Sequence, residues 1–307
     1  MLAPYHSFFK DPPRAEAFLA AWVARLEALN HCRYQRLAVP TTLGTTVVWA
    51  LNAGRTDWPA LVVLPGFRTS GLFWDFDNSL APLKATHRVF LVDVNGQPGP
   101  SDGHTPPVKT LDYGHWAASL LDGLGLATAA VAGASFGGLL GLKLALVAPA
   151  RVSRLVLLNP GCLQPFSLGL KNLYYNLLPL AFPTEANVRR FLRGAVLCPG
   201  HHELSDAAMQ LLVDFELFAI QQYQDHTQKP YAMTAAELAG LTVPVDLLLG
   251  AQDLLFPAAR SLRAARARLP TLRRTLVLPN IGHGIETSPV ALATLAGWLR
   301  EEVPQPA

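Results

Sequence analysis

Cysteine is scarce in this sequence, and the spacing of its few copies excludes two kinds of structure. The three cysteines, Cys32, Cys162 and Cys198, are odd in number and far apart, and no C-x-x-C pair occurs. Disulfide frameworks and zinc sites both need closely patterned cysteines. The sequence therefore predicts free thiols.

Charged residues and long apolar runs are also few in this sequence. Only 15% of the residues are charged, and the one basic cluster, at 260–274, has the helical spacing of a solvated face, so no nucleic acid partner is expected. No apolar run reaches the roughly 18 residues of a membrane span, and residues 1–10 lack the pattern of a secretory leader. These absences predict a cytoplasmic protein with no membrane partner.

Hydrophobic residues, in contrast, make up 50% of the chain, enough for a large buried core. From residue 60 onward, short apolar runs alternate with helical periods, as in parallel strands covered on both faces by helices. The sequence therefore predicts a doubly wound α/β sheet. The predicted strands are a hairpin of 34–39 and 45–51, then 60–64, 88–93, 129–132, 155–158, 245–249 and 275–278. The predicted helices of this body are 12–30, 73–83, 111–124, 137–147, 258–269 and 289–302.

One interval breaks this alternation. About eighty residues separate Asn159-Pro160 from the strand predicted at 245, and they hold helical periods at 168–180, 188–196 and 204–223. A structureless loop of that length is uncommon in a compact domain. We therefore expect a core of residues 1–160 and 241–307, with residues 161–240 inserted as a helical cap.

The most informative stretch is Gly133-Ala134-Ser135-Phe136-Gly137, which lies between a predicted strand and a predicted helix. A G-x-S-x-G turn in that setting projects the serine hydroxyl from a sharply bent backbone, which suits nucleophilic attack. Ser135 is therefore the predicted nucleophile. A tight turn made of small residues only for packing is the alternative.

A serine nucleophile needs a base, and the base needs a group that orients it. Among nine histidines, His283 stands between two glycines just after the last predicted strand, at the sheet edge where α/β proteins place their sites. Asp253 follows the strand at 245–249 and is the predicted orienting acid. Glu286, three residues after His283, is the rival acid, although a structural role in the loop is expected for it.

Acyl transfer also needs donors aimed at the developing oxyanion. The backbone N–H of Phe136, directly after the nucleophile, is one candidate. The other is the N–H of Phe67, in the loop 65–71 after the strand at 60–64, where Gly66 permits a sharp turn. Ordinary strand-to-helix turn chemistry is the alternative for that loop.

The order Ser135, Asp253, His283, together with the loop at Pro65-Gly66, resembles the α/β-hydrolase family across essentially the whole chain. Residues 5–10 and the helix after them also look like bacterial carboxylesterases of the naproxen-esterase kind. The resemblance implies hydrolysis of small carboxylic esters through an acyl-enzyme, with no cofactor. Two departures are Pro65, where a histidine is common in the family, and the altered glycine-rich loop at 95–101.

These motifs leave the scissile bond open. Serine members of the family also include carbon–carbon bond hydrolases, lactonases, aminopeptidases and perhydrolases, and a non-catalytic ligand-binding protein could use the same scaffold. Specificity is expected from the cap and the loops, where an excess of aromatic residues favours small, largely apolar substrates. The substrate-binding candidates are Arg68, Phe73, Trp74, Tyr174, Tyr175, Phe215 and Phe218.

Two further expectations concern metals and assembly. His201-His202-Glu203 lacks the i, i+4 spacing of helical metal ligands, so these residues are expected to be solvated and no metal is expected. The protein is expected to be a monomer or a homodimer.

Overall fold

The structure of the protein, a computed structural model, describes residues 4–301. Its strands, numbered in chain order, are β1 (Tyr5–His6), β2 (Phe8–Phe9), β3 (Gln35–Thr41), β4 (Gly44–Leu51), β5 (Ala60–Leu64), β6 (Arg88–Asp93), β7 (His104–Thr105), β8 (Ala129–Ala134), β9 (Val152–Leu158), β10 (Tyr223–Gln224), β11 (Val245–Gly250) and β12 (Leu272–Leu278). Its α-helices are α1 (Pro12–Asn30), α2 (Ala81–Lys84), α3 (Asp112–Gly123), α4 (Phe136–Val147), α5 (Leu170–Ala181), α6 (Glu185–Phe191), α7 (Asp206–Gln222), α8 (Ala235–Leu238), α9 (Ala258–Arg268) and α10 (Pro289–Arg300).

Eight of these strands form the central sheet, in the order β12-β11-β9-β8-β5-β6-β4-β3. Neighbouring strands from β12 to β6 run parallel, while β4 is antiparallel to both β6 and β3. The predicted α/β sheet and its hairpin are therefore confirmed. The parallel direction brings the ends of β5, β8, β11 and β12 to one edge of the sheet, where the residues predicted to act together follow the strands.

The middle of the sheet is buried on both faces. In β5 every residue is buried, and the side chains alternate between two apolar clusters: Leu61 and Val63 join one, while Val62 and Leu64 join the other. Double burial explains why the central strands are almost wholly apolar and could be recognised in the sequence.

The helix predicted at 73–83 is wrong in form. Residues Gly71–Asn78 make a 3₁₀ stretch that Asp75, Phe76 and Asp77 interrupt with non-helical backbone, and only α2 is α-helical. The cause is the buried carboxylate of Asp75, which accepts hydrogen bonds from the Tyr34 hydroxyl at 2.7 Å and the Leu80 N–H at 3.0 Å. These partners bend the chain away from a continuous helix. The last predicted helix ended at Glu302, which lies outside the described residues.

Two short ribbons were not predicted, because two-residue strands have no readable periodicity. Strand β1 pairs with β7 of the body, and β2 pairs with β10 at the end of the insertion. Helix α1 then packs on α7, where the Trp22 indole N–H donates to the Leu211 carbonyl at 2.8 Å. The N-terminal segment therefore contacts both the body and the insertion.

The interval between β9 and β11 is mostly helical and also holds the short strand β10. It contains α5, α6, a π-helical turn at Leu192–Val196, α7 and α8. Within residues 4–301, no helix combines the length and the apolar character needed to cross a membrane.

Candidate active site

Ser135 lies at the turn between β8 and α4, in a backbone conformation that side chains rarely adopt. Its φ is +49° and its ψ is −109°, a combination that stores strain and persists only where its surroundings hold it. The Ser135 N–H donates to the Leu158 carbonyl at 3.0 Å, and its carbonyl accepts from the Gly161 N–H at 3.0 Å. Gly137 is needed because a Cβ there would overlap the backbone of Leu64.

A continuous hydrogen-bonded series joins this serine to two other predicted residues. His283 Nε2 is 3.1 Å from Ser135 Oγ, and His283 Nδ1 is 2.9 Å from Asp253 Oδ2. The three side chains come from the ends of β8, β11 and β12, which the parallel sheet brings to one edge. Only 8% of Ser135 and 3% of Asp253 are exposed, so the series is largely shielded from water.

The carboxylate of Asp253 is held in place by backbone donors. Its Oδ1 accepts from the N–H groups of Leu255 at 2.8 Å and Phe256 at 2.9 Å, which leaves Oδ2 for the imidazole. Burial of His283 by itself lowers the pKa of the ring. The charge of Asp253 and its hydrogen bond outweigh this, and the net pKa of His283 is raised above its ordinary value. The site therefore stabilises an imidazolium when a proton arrives.

Glu286, the rival acid, lies near the same imidazole without taking the place of Asp253. Burial raises the pKa of its carboxyl group, and its negative charge adds to the raised pKa of His283. It belongs to the short helix Ile285–Thr287 that follows the histidine loop. The Nδ1 atom of the ring faces Asp253.

Asn159, at the end of β9, was not singled out by sequence reasoning. Its amide Nδ2 donates to the carbonyls of Gly282 at 2.8 Å and His283 at 3.0 Å, and its Oδ1 accepts from the Gly250 N–H at 2.8 Å. It thus connects the strand that precedes Asp253 to the loop that carries His283. Its place at a strand end, before Pro160, was the only sequence signal.

The two predicted oxyanion donors lie on adjacent segments. A Cβ on Gly66 would come within 3.6 Å of Ser135 Cβ, so the loop after β5 passes directly beside the serine. The rings of Phe67 and Phe136 pack edge to face, with centroids 5.6 Å apart. Over residues 4–301, neither backbone N–H has a protein acceptor. The predicted role as oxyanion donors requires such unpaired N–H groups, and it stays a prediction.

The loop 65–71, called the oxyanion loop after its predicted role, is contacted by Asp93 at the end of β6 and by Gln97 in the loop after β6. Gln97 Oε1 accepts from the Arg68 N–H at 2.6 Å. Asp93 Oδ1 accepts from Ser70 Oγ at 2.6 Å and from the Gly71 N–H at 3.1 Å. Gln97 lies in the altered glycine-rich segment 95–101 noted in the sequence, and Asp93 is the last residue of β6. The contacts of both residues were not predicted.

The predicted substrate-binding residues are scattered. Arg68 follows Phe67, and its guanidinium is 3.7 Å from Asp225. Phe73, Trp74 and Phe215 lie in the buried apolar cluster beside α1, with the Phe73 and Phe215 ring centroids 4.9 Å apart.

The other three candidates belong to the insertion. Phe218 stacks on Phe18 of α1 at 3.8 Å. Tyr174 is 53% exposed on α5, and Tyr175 packs under the π-helical turn against Gly194. For all seven candidates a substrate contact stays a prediction.

One aromatic ring that packs against His283, that of Phe256, is not among those candidates. Phe256 has its ring centroid 5.5 Å from that of His283.

The expectation that His202 is solvated is wrong. This residue is only 2% exposed, and its Nε2 lies 2.9 Å from Thr287 Oγ1. Burial lowers the pKa of His202 to about 4, so this ring is neutral.

Comparison with known proteins agrees with this architecture. Carboxylesterase YbfK of Bacillus subtilis is 26% identical over 253 residues, 80% of this chain and 80% of that protein. The B. subtilis carboxylesterase nap is 26% identical over 260 residues, 82% of this chain and 81% of that one. The crystal structure of naproxen esterase from B. subtilis superposes with a TM-score of 0.76 at 23% identity, covering 94% of this chain and 98% of that chain.

These likenesses confirm the resemblance to the naproxen-esterase kind of protein. The model of one family, described as the alpha/beta hydrolase family, matches residues 61–295, which include Ser135, Asp253 and His283. That range spans most of the central sheet and the whole insertion. The chain belongs to the alpha/beta hydrolase family.

Proposed function

We propose that the protein is a serine carboxylesterase that hydrolyses small, largely apolar esters through an acyl-enzyme. The observation that carries this proposal is the hydrogen-bonded series Ser135–His283–Asp253 beside two free backbone N–H groups. Nucleophile, base, orienting acid and oxyanion donors are the four parts that acyl transfer by serine requires.

In the first half-reaction, Ser135 Oγ attacks the ester carbonyl while His283 Nε2 takes the hydroxyl proton. The negative charge that develops on the carbonyl oxygen is bound by the N–H groups of Phe67 and Phe136. As the tetrahedral intermediate collapses, the imidazolium returns its proton to the leaving alcohol. The products of this half are the free alcohol and an acyl group on Ser135.

In the second half-reaction, water replaces the alcohol. His283 removes a proton from the attacking water, the same two N–H groups bind the second oxyanion, and the proton passes to Ser135 Oγ as the acid leaves. Asp253 keeps Nδ1 protonated throughout, so Nε2 stays available as the base, and its charge stabilises the imidazolium. No cofactor enters this sequence of steps.

The choice of an ester among the open alternatives rests on the relatives. Two matching curated proteins are named carboxylesterases, and each aligns with about four-fifths of this chain. Nothing in the residues around Ser135 favours a carbon–carbon bond, a lactone or a peptide instead. The division into a core of 1–160 and 241–307 and a cap of 161–240, the monomeric or dimeric state and the cytoplasmic location stay predictions.

The decisive test replaces the nucleophile. Ser135→Ala is expected to lower the kcat for p-nitrophenyl butyrate by at least about a thousandfold, because the whole nucleophilic pathway is lost. A fluorophosphonate probe should label the wild-type protein and leave Ser135→Ala unlabelled. Full esterase activity in the variant would disprove the mechanism. A wild-type protein that hydrolyses no ester of graded acyl length but cleaves a vinylogous diketone would instead support the carbon–carbon alternative.

A further inference from the structure

The insertion carries an exposed apolar surface that no part of the described chain covers. Twelve large apolar side chains are exposed in the structure, and half of them fall between residues 168 and 182. We call these six residues the apolar cap surface: Leu168, Leu170, Tyr174, Leu177, Leu180 and Phe182. Soluble monomers rarely expose so concentrated an apolar area without a partner.

Helix α5 organises this surface. Leu170, Tyr174 and Leu177 are spaced by four and then three residues, so they lie on one helix face. Leu170 is 87% exposed and Leu168, just before the helix, is 76% exposed. Their exposure contrasts with Asn172 and Pro179 of the same helix, which are buried. The helix thus turns its apolar side outward.

Three arginines lie next to this helix. Arg189, Arg190 and Arg193 line an open cavity of about 360 Å³ together with Tyr175 and Gly194. Arg189 is already paired with Glu185 at 3.0 Å, whereas Arg193 is exposed on the π-helical turn. Packing of Tyr175 against Gly194 joins this basic cavity to α5.

The local charge balance is strongly one-sided. Residues 166–193 contain four basic side chains, Lys171 and the three arginines, and one acidic side chain, Glu185. Their sum of +3 equals the net charge of the entire chain. An exposed apolar face beside basic side chains is the arrangement that binds the surface of an anionic lipid assembly.

The apolar cap surface also continues towards the site. Phe166, which precedes it, has its ring centroid 6.1 Å from that of Phe256, and Phe256 lies 5.5 Å from the ring of His283. On the other side, the Gly284 N–H donates to the Val196 carbonyl of the π-helical turn at 2.9 Å. The surface and the basic cavity therefore both adjoin the loop that carries His283.

We propose that the apolar cap surface and the adjacent arginines bind the surface of anionic lipid assemblies, from which amphiphilic esters reach Ser135. The proposed lipid contact depends only on the apolar cap surface and its arginines, whereas the proposed delivery of esters also depends on the proposed esterase function. A second copy of the chain fits less well, because a twofold contact through this face would bring the two basic cavities together with little acid to balance them. The sequence predicts no membrane partner, and the ground for that prediction was the lack of a run long enough to span a bilayer; a helix that lies on a lipid surface needs no such run. The proposal therefore departs from that prediction.

The test measures binding without turnover. Wild-type protein is sedimented with vesicles of phosphatidylcholine alone and with vesicles that also contain phosphatidylglycerol. We expect binding to the anionic vesicles, weakened by added salt, and about tenfold weaker partition for Arg193→Glu and for the double variant Leu170→Asp with Leu177→Asp. Matched controls are Arg260→Glu on α9 and Val290→Asp on α10, both exposed and outside the surface, which should bind as the wild type does.

Several outcomes would overturn the proposal. These are equal binding to neutral and anionic vesicles, no binding to either, or unchanged binding by the surface variants. A dimer that the leucine variant separates, without vesicle binding, would identify the face as a contact between copies instead. Thermal unfolding shows whether each variant is folded. If the double variant Leu170→Asp with Leu177→Asp is unfolded, the vesicle binding of Arg193→Glu decides the result. Hydrolysis of p-nitrophenyl butyrate is measured separately, so its absence would reject the esterase proposal and leave the vesicle result intact.

Discussion

A buried aspartate lies near each end of strand β11, one inside the strand and one just after it. The two differ in the groups that face the carboxylate. At the amino edge of the sheet, Asp246 is fully buried and contacts Arg154, Arg273 and Arg274, at N–O distances of 3.9, 3.2 and 3.0 Å. Beyond the carboxyl edge, Asp253 is 3% exposed and faces one imidazole and two backbone N–H groups. Residue type and burial are the same, so the partners distinguish the two roles.

The difference lies in whether the partner can gain and lose a proton. Guanidinium groups stay charged at every pH at which proteins fold, so the amino-edge cluster is fixed and serves stability. An imidazole titrates near neutrality, so the charge of Asp253 is fully used only when His283 becomes protonated during a reaction. Burial of a carboxylate is therefore not itself a sign of catalysis. A partner that titrates near neutral pH is the feature that indicates it.

The largest expected effect comes from removing the charge at the carboxyl edge. Asp253→Asn should lower kcat for p-nitrophenyl butyrate by about 10³–10⁴-fold, because the imidazolium loses its counter-charge and the wrong tautomer is favoured. The raised pKa of His283 depends on Asp253, so the pH at which activity reaches half its maximum should move lower. A pH–rate profile measures both changes. An unchanged profile would show that another acid, such as Glu286, orients His283 and stabilises its imidazolium.

The corresponding change at the amino edge should act on stability. Asp246→Asn leaves Arg154, whose side chain is 3% exposed, without its carboxylate, and should lower the free energy of unfolding by about 3 kcal/mol. The kcat of the folded protein should be unchanged. Urea unfolding measures the loss, with Asp122→Asn as the control, because the exposed pair of Asp122 with Arg151 contributes little. A large fall in kcat with an unchanged free energy of unfolding would contradict the claim that Asp246 acts on stability alone.

A smaller effect is expected where the oxyanion loop is held. Gln97→Ala removes the acceptor of the Arg68 N–H, and should lower kcat about tenfold with little change in KM, since the loop positions a donor used in the transition state. Gln97→Glu keeps an acceptor and should recover most of the activity. Gln164→Ala is the matched control, because Gln164 is also buried, and its amide donates to Ser261 and to the Pro257 carbonyl instead of contacting the oxyanion loop. Steady-state kinetics that show only a KM change would contradict this role.

The smallest effect concerns Glu286. Its charge helps to raise the pKa of His283, so Glu286→Gln should shift the acid limb of the pH–rate profile to lower pH. This shift should be smaller than that of Asp253→Asn, because the charge of Asp253 and its hydrogen bond contribute more to the raised pKa of His283 than the charge of Glu286 does. Activity on the alkaline side should not change. Glu185→Gln, on the exposed α6, serves as the control, and a shift to higher pH would contradict the assignment.

The fold and the series Ser135, Asp253, His283 could be predicted because each has a local signal. Central strands are apolar on both faces, and the three side chains stand just after strand ends, where the chain must turn. The residues that support them could not be found in this way. Asn159 contacts Gly250 and Gly282, 91 and 123 positions away, and Gln97 contacts Arg68, 29 positions away. Nothing near either residue in the sequence marks those contacts.

The failures have the same physical origin. The helix predicted at 73–83 had suitable apolar spacing, but hydrogen bonds from Tyr34 and Leu80 to Asp75 bend the chain there. His202 was expected in water because it lacks the i, i+4 spacing of helical metal ligands, yet Thr287, far along the chain, supplies a buried partner. Tertiary contacts of polar groups decided both positions.

The attachment of the N-terminal segment limits how specificity could be exchanged between related enzymes. Strand β2 pairs with β10, and Trp22 of α1 packs on Phe215 of α7, with ring centroids 5.2 Å apart. A graft of the insertion alone would leave those faces against a foreign α1. The transferable unit is therefore discontinuous: the helical insertion must travel with the first thirty residues to keep its packing.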